Sequence, residues 1–277
     1  MRYPARVSGY RLAFVLLPLA VSARGSAQTV LLRFKPPVGA SVRYTMTMSM
    51  NQKVPGMAVP MISTTTIPMT VRVVSRAAGT TTLETKMGKA KVTMPANSPM
   101  ASMKDTIERA GSDVTSTTVV DELGNLKNVS LKGANPMMSN LGSSITQGAQ
   151  GVSYPLKAVK VGDSWTMDFD MGKMMGKAGM GMGMTATGKV PIVYRLVSVD
   201  KRGGKTLAKI LISMKGKSTM TMAARGQKVD FNMNVSGSTV VDTGTGLAVN
   251  VTMTSDSDMK VRDQTMHQHM VMSMKSL

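Results

Sequence analysis

Apolar and polar residues alternate with a period of two through most of this chain, the spacing of half-buried β-strands. In 42–50 the even positions are Val42, Tyr44, Met46, Met48 and Met50, with Arg43, Thr45, Thr47 and Ser49 between them. The same alternation returns with Trp165, Met167, Phe169 and Met171 on one face and Ser164, Thr166, Asp168 and Asp170 on the other. Ile67, Met69, Val71 and Val73 make a second face, and Val190, Ile192, Tyr194 and Leu196 its counterpart. Pro68 and Pro191 stand near the start of these strands, where proline is tolerated. The first half predicts further strands over 82–87, 89–94, 113–120 and 126–131. The second predicts them over 206–214, 218–222, 229–241, 247–254 and 259–274. Gly- and Asp-rich turns separate them at 76–80, 121–125, 200–204 and 242–246.

Two segments shift to helical spacing. Ser98-Pro99 forms a cap with proline at the first helical position, and Met100, Met103 and Ile107 follow, predicting a helix over Pro99–Ala110. Asn135-Pro136 opens a second, Pro136–Gln147, carrying Met137, Met138, Leu141 and Ile145.

The strands also repeat. Val38-Gly39-Ala40-Ser41-Val42 returns as Val161-Gly162-Asp163-Ser164-Trp165, and Ile67-Pro68-Met69 returns as Val190-Pro191-Ile192 at the same offset of 123 residues. Thr118-Val119-Val120-Asp121 returns as Thr239-Val240-Val241-Asp242, with Leu126 matched to Leu247. One β module used twice is the economical explanation. Consecutive strands with short turns make antiparallel sheet, and long strands with one apolar face must curl or stack. The expected fold is therefore all-β with minor α: a duplicated antiparallel module forming curved sheets, a barrel or a sandwich, with one or two short helices. The expected organisation is a signal peptide over 1–27, a first β module over 28–132, a helical linker over 133–155 and a second β module over 156–277.

The leader reading rests on Arg2, Arg6 and Arg11 before a short apolar run from Leu12 to Val21, with small residues Gly25-Ser26-Ala27 before Gln28. It predicts cleavage near Ala27 and a periplasmic or secreted protein. No later apolar run is long enough for a transmembrane helix. Cysteine is absent, which removes disulfides and thiol catalysis. Four arginines of the leader carry part of the formal charge of +19, and the +15 left after cleavage favours anionic partners such as an envelope surface. Export and the scarcity of stacking aromatics argue against nucleic acid.

Methionine changes the picture most, with 30 residues in the chain. It serves as core filler, as an adaptable lining for an apolar ligand, or as a soft ligand for Cu(I). The strand faces place Met46, Met48, Met167 and Phe169 as candidates for an apolar or lipid-like ligand, in a groove between the sheet and one helix. The terminal segment offers Met266, His267, His269, Met270 and Met272 as candidate copper ligands. As a strand, it sets the two histidines on one face and the methionines on the other, so a single ion takes one set. Asp168 with Asp170, and Asp256 with Asp258, share polar faces and suit solvation or a hard cation. Gly203-Gly204-Lys205-Thr206 lacks the earlier glycine of a phosphate loop, and Ser257-Asp258-Met259-Lys260 lacks the companion motifs of serine–lysine hydrolases. No catalytic constellation is found.

The block Tyr154-Pro155 followed by Val159-Lys160-Val161-Gly162-Asp163-Ser164-Trp165 resembles one in a family of exported bacterial proteins of unknown function. The threonine–methionine alternation of Tyr44–Met50 is similar to theirs as well. That resemblance implies export but no activity. The first copy departs from the block, with Ala40 for the acid and Val42 for tryptophan. In overall shape alone, the layout is similar to periplasmic lipoprotein carriers, which implies a curved sheet holding acyl chains. Three functions follow as expectations: a non-enzymatic envelope protein binding an apolar ligand, a copper or oxidant handler, or a structural partner-binding protein.

Overall fold

The computed structural model describes residues 29–98, 101–110, 112, 114–132, 152–170, 184–222, 227–261 and 263–277. The signal-peptide reading, the linker helix and the glycine–methionine segment after Asp170 lie outside them.

Fifteen strands form among the described residues, with one short helix. Thirteen strands make a single antiparallel sheet that curves without closing into a barrel. The first copy supplies β2 (Ser41–Lys53), β3 (Met61–Ala77), β4 (Thr80–Met87), β6 (Thr115–Asp121) and β7 (Leu126–Lys132). The second supplies β9 (Ser164–Asp170), β11 (Lys189–Arg202), β12 (Lys205–Met222), β13 (Gln227–Asp242) and β14 (Ala248–Val261). The sheet runs β7-β6-β4-β3-β2, then β15 (Gln264–Ser276), then β14-β13-β12-β11-β9. The copies therefore lie side by side in the same orientation, with β15 as the seam. Two short strands attach off this path: β5 (Lys91–Thr93) on β3, and β10 (Met184–Thr187) on β12.

Local geometry repeats with the sequence. Gly39 donates to Val73 and Val73 to Ala40; Gly162 donates to Leu196 and Leu196 to Asp163. The glycines take φ of 83° and 98°, open to residues without a Cβ. A β-bulge lies between Val73 and Ser75, and another between Leu196 and Ser198. Bulges also follow Val119 and Val240. The identity match of Leu126 to Leu247 slips by one residue. Val120 pairs with Leu126 and Val241 with Ala248, because the second turn is one residue longer.

Three sequence-based elements change. The strands expected over 206–214 and 218–222 are one, because Gly216 lets the Val190 side chain pack over it and the ladder continues. The strand expected over 259–274 is two, turning back where Val261 pairs with Gln264. The helix expected over Pro99–Ala110 is a 3-10 turn, Ala101–Met103, followed by α1 (Lys104–Ala110); Pro99 and Met100 are outside the described residues.

The core lies on the inner face of the curve. Tyr44, Met46, Ile67, Leu83, Leu196, Ile210, Val251 and Met274 meet there. Two irregular straps complete it. Leu32 and Phe34 are buried in the first, and Val152 and Tyr154 in the second. Phe34 donates to Glu122 and Lys35 to Thr245, so the first strap ties a turn of each copy. Tyr154 does the same, with its N–H on Leu123 and its hydroxyl on Gly246. Arg33 spans the straps by donating to Pro155 and Leu156. β1 (Thr29–Val30) and β8 (Val159–Lys160) pair as a separate ribbon.

Candidate functional site

The inner face carries the methionines, and strand register arranges them in rows. Met46 pairs with Met274, Met48 with Met272 and Met50 with Met270 across β2 and β15. Met272 pairs onward with Met253 on β14, which faces Gly237 on β13. That row continues through Ile212 and Tyr194 to Trp165. Gly237 has a reason to be glycine: a Cβ there would run into the Thr252 carbonyl and Met253.

Burial falls from one row to the next along β2 and β15. Met46 and Met274 are each 1% exposed. Met48, Met272, Met253, Met50 and Met270 are half-buried. The straps lie over the closed end, where dispersion contacts are complete. Away from them the same face is methionine-paved and only partly covered.

The four sequence-predicted ligand residues share this inner face but not one spot. Met46 is in the closed core, and Met167 packs against that core. Met48 and Phe169 are half-buried on other rows. Beside α1 lies an open groove of about 610 Å³ lined by Lys89, Asp105, Glu108, Arg109 and Ser112. Its lining is charged and polar, and the second helix against which an apolar groove is equally expected lies outside the described residues.

Trp165 is half-buried rather than enclosed, because β9 is the last strand of the sheet. Its ring stacks on Tyr194 with centroids 5.6 Å apart, and its Nε1 donates to the Ser153 carbonyl at 2.6 Å. Ser153 Oγ lies 2.8 Å from Asn125 Oδ1 and 2.6 Å from Met167 Sδ. The second strap therefore touches both β9 and the turn leading into β7, the two edge strands.

The outer face presents a different chemistry. His267 Nδ1 lies 2.6 Å from Asp258 Oδ1, and His269 Nδ1 lies 2.6 Å from Asp256 Oδ1. The pairs are direct cross-strand neighbours on β15 and β14. On the other flank of β15, Lys53 stands opposite His267 and Asn51 opposite His269. Met266, Met270 and Met272 point to the inner face, where Met266 Sδ accepts from Gln52 Nε2 at 2.7 Å. The candidate copper ligands thus divide between two faces. Sequence reasoning noted the two histidines and the two aspartates separately and did not join them.

No protein-family model matches the chain, and no curated protein matches it. Among solved structures, lipovitellin, described for its lipid–protein interactions, aligns with 88% of this chain at 10% identity and a TM-score of 0.49. This chain spans 25% of that one. DynF of the dynemicin pathway of Micromonospora chersina aligns with 96% of this chain and 92% of its own, at 9% identity and a TM-score of 0.23. A protein from Bacteroides fragilis, described as exported with a YmcC-like fold, aligns with 87% of this chain and 97% of its own, at 8% identity and a TM-score of 0.25. No helix among the described residues is long and apolar enough to cross a membrane.

Proposed function

We propose that this protein is a non-enzymatic binding protein of the cell envelope whose inner methionine rows hold an apolar, lipid-like guest. The observation that carries the reading is the gradient of cover along one apolar face. Met274 and Met46 are sealed in the core, whereas Met272, Met48, Met270 and Met50 continue the same pavement half-covered. Unbranched thioethers adapt to guests of differing shape, which favours methionine over leucine in such a lining. The formal charge, +19 for the chain and +15 without the four arginines of the leader, would bring the protein to anionic membranes, and the basic, apolar N-terminal segment suits export.

The test is titration of the delipidated protein with a fluorescent fatty acid. Saturable binding at micromolar concentration is expected. Met48→Lys with Met272→Lys should abolish it with the circular dichroism spectrum unchanged, and Met48→Leu with Met272→Leu should keep it within a few-fold. No saturable binding by the wild-type protein would leave a structural, partner-binding role as the better reading. The directly opposed thioethers of Met48 and Met272, and of Met50 and Met270, favour Cu(I) handling as the second reading. A retained copper mass in place of a lipid mass, in protein from its own host, would select it.

A further inference from the structure

The geometry points to a divalent transition-metal site on the outer face, built from His267 and His269 and independent of the methionine rows. A carboxylate only accepts hydrogen bonds. The 2.6 Å contacts to Asp258 and Asp256 therefore place the proton of each neutral ring on Nδ1. Each Nε2 is left with its lone pair, turned away from the carboxylate. An aspartate behind the far nitrogen is the arrangement that orients metal-bound imidazole and raises its basicity.

The two rings rise from alternate residues of one strand, about 7 Å apart along it. Their side chains are 60% and 51% exposed, which leaves room for the tips to lean together over one ion at about 2.0–2.1 Å from each nitrogen. No group of three or more histidine, aspartate or glutamate side chains among the described residues is placed to hold a metal. The remaining positions would be filled by water. Imidazole donors with open positions suit Cu(II), Zn(II) or Ni(II) rather than Cu(I). Lys53, opposite His267, is the one cation flanking the pair across β2 and works against the ion.

The experiment is titration of the full protein with Cu(II), followed by calorimetry and by electron paramagnetic resonance. One ion per chain with two equatorial nitrogens from imidazole is expected. His267→Gln with His269→Gln should lower the affinity at least 100-fold. Asp256→Asn with Asp258→Asn, which act only through the rings, should lower it about 10–100-fold while both nitrogens stay in the spectrum. Lys53→Ala should tighten binding. Met270→Leu with Met272→Leu should leave Cu(II) affinity unchanged. Two ions per chain, a spectrum with one nitrogen, or equal uptake by the histidine variant would each overturn the site. Folding of every variant is checked by circular dichroism.

Discussion

The Tyr44 hydroxyl donates to the Ala248 carbonyl at 2.8 Å, fastening the first strand of one copy to the start of β14 in the other. Both ends of the bond are buried. Tyr44→Phe keeps the ring and its apolar burial but leaves the Ala248 carbonyl without this donor. An orphaned buried acceptor costs about 1–3 kcal/mol. Urea unfolding should show the unfolding free energy falling by that amount, read as a lower midpoint with the m-value unchanged, since the exposed surface hardly alters. A loss of zero would mean that water replaces the phenol.

Alkaline pH should act through the same residue and two others. Burial pushes the Tyr44 hydroxyl up to about 12 from its ordinary 10.0. Tyr154 is pushed up further, by burial first and then by Tyr44 and Asp242 nearby. Burial also raises Tyr194, partly offset by its hydrogen bonds to Ser153. The fold keeps these rings protonated, whereas the unfolded chain ionises near pH 10, so between the two values the unfolded state binds fewer protons. Stability is then full below about pH 10 and falls as pH rises above it, by at most about 1.4 kcal/mol per pH unit for each tyrosine. In the chain beginning at Gln28, whose tyrosines are Tyr44, Tyr154 and Tyr194, phenolate absorbance at 295 nm should rise only together with the loss of circular dichroism. Ionisation of all tyrosines in the intact fold would contradict the burial.

Trp165 tests the sheet edge. A fully enclosed aromatic costs about 3–5 kcal/mol on truncation to alanine. Among the described residues β9 has no outer neighbour, and the indole has a stacking partner in Tyr194 and a strap contact at Ser153. Trp165→Ala should cost about 1.5–3 kcal/mol in denaturant titration, below the core value. Ser153→Ala should cost less, because the indole bonds to the Ser153 backbone carbonyl, which that change preserves.

Much of this was legible in the chain, because period two reveals faces and the repeat reveals equivalence. Val38-Gly39 and Val161-Gly162 announced matching turns, and the alternations at 42–50 and 164–170 announced matching strands. Period two does not reveal partners. That β15 joins β2 to β14 depends on contacts far apart in sequence, which no local pattern encodes. The strap carrying Tyr154 has no periodicity, and in the strap carrying Phe34 the alternation of Leu32 and Phe34 with Arg33 and Lys35 runs for only a few residues. A signal for the missed hairpin did exist. Apolar positions are odd through Val251, Met253, Met259 and Val261, then even through Met266, Met270, Met272 and Met274. That change of phase marks the turn, and once the turn is placed, Asp258 falls opposite His267 and Asp256 opposite His269.

The copies differ at one buried hydroxyl, and the difference gives opposite signs to one substitution. Thr118 and Thr239 occupy equivalent places: Thr118 pairs with Leu83 on β4, and Thr239 with Ile210 on β12. Both are 0% exposed. Thr239 Oγ1 donates to the Asn250 carbonyl at 3.1 Å. Thr118 Oγ1 has no hydrogen-bond partner and is the only such buried side-chain atom among the described residues. A buried hydroxyl without a partner carries its full desolvation cost, whereas a bonded one contributes about 0.5–1.5 kcal/mol. Valine has the shape of threonine with a methyl in place of the hydroxyl. Thr239→Val should therefore destabilise by about 1 kcal/mol, and Thr118→Val should be neutral or stabilise by about 1–2 kcal/mol. Paired thermal melts decide the matter. Equal losses at both sites would show that the Thr118 hydroxyl has found a partner, such as a bound water, and that the copies are alike there in energy as well as in register.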